Sequence, residues 1–199
     1  MSTARTLALF ACCAGLAAAL DLTEDDLRVG ADWVSRRETA EANGTSTTAN
    51  WDRASRLTLD WVASPNLPVP LIGVLFGAGL SYDKRTKSTN AGSVDYSAVG
   101  AHIHAGAYLG LFWILRLELL PFVGIGRDSY QQPGSSSTKA TVSEYGANLN
   151  LVLHPPLLPL CGGVGVGYLH SGSTQNITGG DVRLSANDLT VGAFVGYSF

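Results

Sequence analysis

The pair His102 and His104, the run His170-Ser171-Gly172-Ser173, and a set of arginines and carboxylates are the residues whose types and spacing could do chemistry. His102 and His104 fall on one face of a strand, and two imidazoles at that spacing can hold a metal ion. No third ligand is fixed by spacing. Asp60, Glu118 and Glu144 read instead as hydrogen-bond acceptors for the pair, so neither a metal nor a cofactor is expected. His170 beside Ser171 and Ser173 sets an imidazole next to two hydroxyls, the raw material of acyl hydrolysis. No Gly-x-Ser-x-Gly elbow accompanies them, and the expectation is no catalytic residue, with His170, Ser171 and Ser173 as the enzymatic alternative. Arg28, Arg56 and Arg116 recur with Asp32, Asp60, Glu118 and Glu144 at positions that alternate with apolar ones. Charges of both signs on one face can pair in a closed interior or line a narrow polar path.

The elements that must position these residues follow from composition and period. Of 199 residues, 46% are hydrophobic, 15% are charged and 23 are glycine, with a mean hydropathy of +0.16. Ordinary soluble domains carry roughly 25% charge and ~7% glycine. Such hydropathy suggests membrane helices, yet none is written here. Leu7 to Leu20 spans 14 positions, short of the ~18 a bilayer-spanning helix needs. Other apolar runs are broken by Pro68, Pro70, Arg116 or glycines. That leaves a soluble all-β domain or a membrane β-barrel.

Eight segments show apolar residues at every second position, the mark of a strand with one apolar face. They lie near 27–36, 57–63, 72–83, 99–111, 115–126, 144–153, 160–168 and 189–199. The last is cleanest: Leu189, Val191, Ala193, Val195, Tyr197 and Phe199 share one face. Connections alternate in length. Long polar stretches at 38–50, 84–95, 130–140 and 171–186 alternate with short ones near 64–70, 112–114 and 154–158. Outer-membrane barrels sort short periplasmic turns from long external loops in this way, and an even strand count returns both ends to the periplasm.

The second face of each strand decides between water and lipid. A soluble barrel would need Lys, Glu and Thr there. This chain has glycine punctuated by Arg28, Asp32, Arg56, Asp60, Arg116, Glu118 and Glu144, with His102 and His104 on the same parity. Glycine makes room in a narrow barrel, and opposite charges can pair inside it. Trp61, Trp113 and Phe199 then fall at one interface and Tyr82, Tyr145 and Tyr168 at the other. The fold class expected is an all-β, eight-stranded, antiparallel up-and-down transmembrane β-barrel.

The first residues read differently. Arg5 precedes the apolar core Leu7–Leu16, and Ala17-Ala18-Ala19 fits a small-residue cleavage site, so 1–19 is expected to be a cleavable signal peptide and 20–199 the barrel. Cleavage would remove Cys12 and Cys13 and leave Cys161 without an intramolecular partner. Of 13 basic residues it would remove Arg5, leaving 12 against 16 acidic ones. A net charge of that sign argues against nucleic acid as a partner.

The terminal Leu-Thr-Val-Gly-Ala-Phe-Val-Gly-Tyr-Ser-Phe, with Val195, Tyr197 and Phe199 at alternate positions, resembles the C-terminal signal read by the barrel-insertion machinery of Gram-negative bacteria. Leu-Pro-Phe-Val-Gly-Ile-Gly at 120–126 and Pro-Leu-Cys-Gly-Gly-Val-Gly-Val-Gly-Tyr at 159–168 resemble strand openings of the small outer-membrane β-barrel superfamily. That superfamily includes OmpX-like proteins, opacity-like proteins and the OmpA membrane domain. The resemblance implies a bacterial outer-membrane location with both termini periplasmic. It implies outer-membrane lipid and lipopolysaccharide, the insertion machinery, and an external ligand held by loops 38–50, 84–95, 130–140 and 171–186 as partners. The role implied is structural, adhesive or in envelope integrity, around a side-chain-filled interior; a narrow pore is an alternative. His170 also sits where outer-membrane lipid A deacylases carry a His-x-Ser pattern followed by Asn. Here Gly172 occupies the serine's place, so the resemblance fails at the nucleophile.

Overall fold

The computed structural model describes residues 23–51, 53–65, 71–89, 92–112, 114–131, 138–155, 157–177 and 180–199. The expected signal segment 1–19 and Trp113 lie outside them. The described residues form nine strands and no helix: β1 (Thr23–Ala42), β2 (Thr45–Asn50), β3 (Arg53–Pro65), β4 (Ile72–Thr89), β5 (Gly92–Phe112), β6 (Leu115–Gln131), β7 (Thr138–Leu153), β8 (Leu160–Ile177) and β9 (Gly180–Ser198). All neighbours pair antiparallel in chain order, and β1 pairs with β9, from Asp26↔Ser198 to Glu41↔Arg183. The sheet therefore closes on itself.

Eight positions make up the ring because β2 and β3 share one of them. β3 pairs with the first half of β1, Thr23 to Trp33, and β2 with its second half, Arg37 to Ala42. Apart from β2, which pairs with β1 alone among the described residues, closure leaves no bare edge, which is what a sheet in hydrocarbon requires. One rim carries both Asp25 and Phe199, joined by reciprocal backbone hydrogen bonds of 3.2 and 2.9 Å. The strand ends nearest to the expected short connections lie at this terminal rim, and the opposite rim is built from hairpins.

The apolar period faces outward. Val29, Ile103, Ile125 and Val195 are 56%, 62%, 62% and 70% exposed, whereas Glu118 and Asp188 are wholly buried. That order is inverted relative to a protein in water, where large exposed apolar areas are uncommon. Past Tyr82 and Val99 the outward positions turn polar, with Lys84 and Asp95 exposed, so the apolar band ends there.

Three features depart from the expected pattern. The described residues of the stretches 38–50, 84–95, 130–140 and 171–186 are mostly ladder rather than loop. β4 and β5 stay paired to Thr89↔Gly92, and β8 and β9 to Ile177↔Gly180. These segments are polar on both faces, so no alternation marks them, yet Thr-rich chain is good strand material. Residues 45–50 became β2 because Asn43 (φ 50°) and Gly44 (φ 76°) make a tight turn with both central residues in the left-handed region. Finally, Pro121 has no N–H to donate. The β5–β6 ladder stops at His104↔Phe122 and resumes at Ala107↔Leu119, a gap centred on that residue.

Candidate functional site

The inner wall carries stacked layers of charge. Nearest to the terminal rim, Arg28 of β1 donates to Glu118 of β6 twice, at 2.6 and 2.9 Å, and to Asp26 at 2.7 Å. The Ser198 hydroxyl donates to the other oxygen of Asp26 at 2.6 Å. Higher up, Arg56 of β3 makes a two-pronged contact with Glu144 of β7 at 3.0 and 2.8 Å, with Asp83 at 3.7 Å. Around the ring β1 and β6 are four positions apart in either direction, and so are β3 and β7. Both guanidiniums thus cross the full width of the lumen. Aromatic faces flank them: Phe194 lies 4.9 Å from the Arg28 guanidinium and Phe122 5.8 Å from that of Arg56.

Toward the hairpin rim a third layer forms. Arg36 donates to Asp188 at 3.1 Å and to the Ser171 hydroxyl at 3.1 Å, and contacts Glu38. Arg85 lies 3.5 Å from Asp83 and 3.7 Å from Asp188. Tyr96 is sandwiched between the two guanidiniums, 5.5 Å from Arg36 and 4.4 Å from Arg85. This layer stands above the apolar band. Burial there pushes the Tyr96 hydroxyl up to about 12, against the pull of both arginines.

Between the first two layers, Asp60, His102 and His104 come together. Asp60 on β3 and His102 on β5 meet across β4, with Asp60 Oδ1 2.7 Å from His102 Nε2. Gly79 is the register partner of both, and a Cβ there would collide with Asp60. The His102 and His104 ring centroids are 5.9 Å apart. Both side chains are buried, and both line a cavity of about 80 Å³ together with Asp32, Asp60, Asn148 and Thr190. A few waters fit in such a space.

Parity brings Arg28, Asp32, Arg56, Asp60, Glu118, Glu144, His102 and His104 onto the inner face. Arg116 shares the parity of Glu118 and lies over the Tyr108 ring at 4.9 Å. Standing one residue into β6, it lies at the terminal mouth and pairs at 2.7 Å with Glu24, itself largely exposed. Asp26, Asp83, Arg85, Asp188 and Tyr96 join the wall without having been singled out. Each continues the two-residue period of an inner-face neighbour, which is the signal that could have found it.

The enzymatic alternative is not assembled. His170 points outward, against the Tyr145 ring at 4.9 Å and Asn187 at 2.9 Å, whereas Ser171 points inward and is held by Arg36. Ser173 has the same strand parity as Ser171. Strand pleating separates imidazole from both hydroxyls across the wall. Trp61 also departs from its expected place in an exposed belt. It is buried against Phe76, and its indole N–H donates to Asp25 at 3.1 Å. Tyr82, Tyr145, Tyr168 and Phe199 are exposed on the outer face.

Outside the wall, above Tyr145 and Tyr168, Arg127, Lys139 and Arg183 project from β6, β7 and β9 around an open cleft of about 900 Å³ that also includes Ser143, His170 and Glu41. At the terminal rim Val195, Tyr197 and Phe199 face outward, with the two aromatic rings 6.3 Å apart.

No protein-family model matches the chain, and no curated protein matches it. Solved structures do. Neisserial surface protein A superposes over 85% of this chain and 96% of its own, at 15% identity and a TM-score of 0.50. A major outer membrane protein from Thermus thermophilus matches over 89% and 99%, at 11% identity and a TM-score of 0.49. Ail, the attachment invasion locus protein of Yersinia pestis, matches over 88% and 99%, at 16% identity and a TM-score of 0.38. The chain has the fold of a small outer-membrane β-barrel.

Proposed function

We propose that this protein is a closed, non-conducting barrel of a bacterial outer membrane that displays its hairpin rim outside the cell for adhesion or envelope integrity. The observation that carries this reading is the pair of guanidinium–carboxylate ties, Arg28–Glu118 and Arg56–Glu144, that cross the lumen at two heights. An eight-stranded ring has an interior that side chains can fill. With the lumen crossed in this way, transport is disfavoured and display is favoured. The terminal rim is periplasmic in this reading, and the hairpins, lengthened by the β1–β2 pair, project outward.

Lipopolysaccharide is the lipid partner that the outer cleft suits. Arg127, Lys139 and Arg183 stand just beyond the aromatic level, where anionic lipid headgroups lie, and charge-assisted contacts to phosphate are among the stronger polar interactions. The apolar band below them suits acyl chains. The cleavable segment 1–19 and insertion through Val195, Tyr197 and Phe199 complete the proposed route to the membrane.

Planar-bilayer recording of the refolded protein tests the reading. A silent bilayer is expected, with heat-modifiable mobility in SDS gels proving that the barrel is folded. Regular stepped currents from that same folded material would replace display with conduction.

A further inference from the structure

We infer that Asp60, His102 and His104 form a binding site for a divalent transition-metal ion of the Ni2+, Cu2+ or Zn2+ class inside the barrel. The three offer one carboxylate oxygen and two imidazole nitrogens that all lie within 4.8 Å of one another. That donor set is borderline in softness, and imidazole suits this class of ion.

Four observations beyond the cluster itself point to a ligand. His104 is 7% exposed, and outside the cluster its imidazole has only the Trp61 carbonyl as a polar neighbour. His102 Nδ1 is buried without a partner. Buried polar atoms are ordinarily satisfied, so an orphan at this place needs a reason. Next, the nearby carboxylates divide into two groups. Asp26 and Glu118 share Arg28, and Asp83 and Glu144 share Arg56, whereas neither Asp32 nor Asp60 is ion-paired to an arginine among the described residues. The two carboxylates without an arginine partner therefore sit beside the histidines, where a cation would balance them. Third, β4 is cut back to make the meeting possible. Cβ atoms at Gly77 and Gly79 would collide with groups of the cluster, so the donors of β3 and β5 converge over a strip without side chains. Last, the cavity alongside leaves space for a solvent ligand completing the coordination.

A bound ion would tie β3 to β5 across the intervening strand. The site is independent of whether the barrel conducts or displays.

The test uses the full barrel, refolded in detergent with Ni2+, Zn2+ or Cu2+ present, then desalted and assayed for metal. One equivalent is expected, and the Cu2+ form should show electron paramagnetic resonance splitting from two imidazole nitrogens. Losing even a supporting residue costs a metal site roughly 10–100-fold in affinity. Asp60→Asn and His104→Gln, verified as folded by heat-modifiable mobility, should each weaken binding at least about tenfold. Cys161→Ser is the control. Asp26, His154 and Cys161 form a second cluster whose donor atoms also lie within 4.8 Å of one another, but both Asp26 oxygens are engaged by Arg28 and Ser198. Cys161→Ser should leave the stoichiometry unchanged. No retained metal in the wild type, a copper spectrum without imidazole splitting, or loss of the metal with Cys161→Ser would each overturn the assignment. The wild-type spectrum decides even where a variant fails to fold.

Discussion

Arg56 and Glu144 face each other from opposite sides of the ring, 88 residues apart in sequence, in a buried contact of 2.8 and 3.0 Å. Such a pair is a weak net stabiliser but a costly one to halve, because the survivor is left charged and buried.

Glu144→Ala is therefore expected to cost about 3–5 kcal/mol. A double Arg56→Met, Glu144→Met replacement should recover most of that loss. Urea unfolding in lipid vesicles, followed by the heat-modifiable gel shift, measures both. A double variant as unstable as the single one would mean that the pair contributes more than charge compensation.

The outer wall makes the opposite demand. Ile103 stands in the middle of the apolar band, so Ile103→Arg should destabilise the barrel by roughly 2–4 kcal/mol, whereas Thr141→Arg near the hairpin rim should cost about 0–1. Equal costs at the two heights, measured by equilibrium folding into vesicles, would argue against a lipid-facing band.

At the β1–β2 turn, Gly44 holds a positive φ of 76°. Gly44→Val should cost about 1–2 kcal/mol locally, since a side chain resists that conformation. Amide exchange is the suitable readout: faster exchange is expected in residues 37–50, with protection of β5 to β8 unchanged.

Tyr96 provides a pH test. Its hydroxyl is raised from the usual 10 to about 12, chiefly by burial, so the folded protein resists ionisation that the unfolded chain accepts. The corresponding stability is fully present below pH 10 and is lost as pH rises toward 12. A late tyrosinate absorbance component is expected near pH 12, and Tyr96→Phe should remove it. Persistence of that component in the variant would assign it to another tyrosine.

Assembly can be checked at the chain's end. Phe199→Ser should lower the amount of heat-modifiable protein recovered in the outer membrane, and wild-type levels would count against the terminal signal.

Much of this architecture is legible in the sequence, for identifiable reasons. The two-residue period from Ile72 to Tyr82 or from Leu189 to Phe199 needs only the strand pleat to say which side chains face lipid. The same parity sets Arg28, Arg56, Glu118 and Glu144 inside. It cannot say that Arg28 meets Glu118 while Arg116 meets Glu24, because partners across a lumen depend on register around the whole ring. Asp60 reaching His102 over Gly79 is hidden for the same reason. The hairpin extensions escaped because both of their faces are polar. In that setting Asn43-Gly44 was the informative pair, a turn signal that does not require apolar alternation around it. Trp61 misleads through its type: an aromatic at a strand end suggests an interface, but here an acceptor at Asp25 draws the indole in.

The ladder between β1 and β9 joins residues as far apart as Asp26 and Ser198, so the strand pairing that closes the ring is also the most non-local of the pairings among the described residues. An unclosed sheet would leave two bare edges in hydrocarbon, and non-local pairing is slow to find. Folding should consequently have no stable halfway house. Pieces of this chain, even several hairpins long, should fail to persist in a bilayer, and the final strand should act less as one-eighth of the wall than as the latch on which all the rest depends.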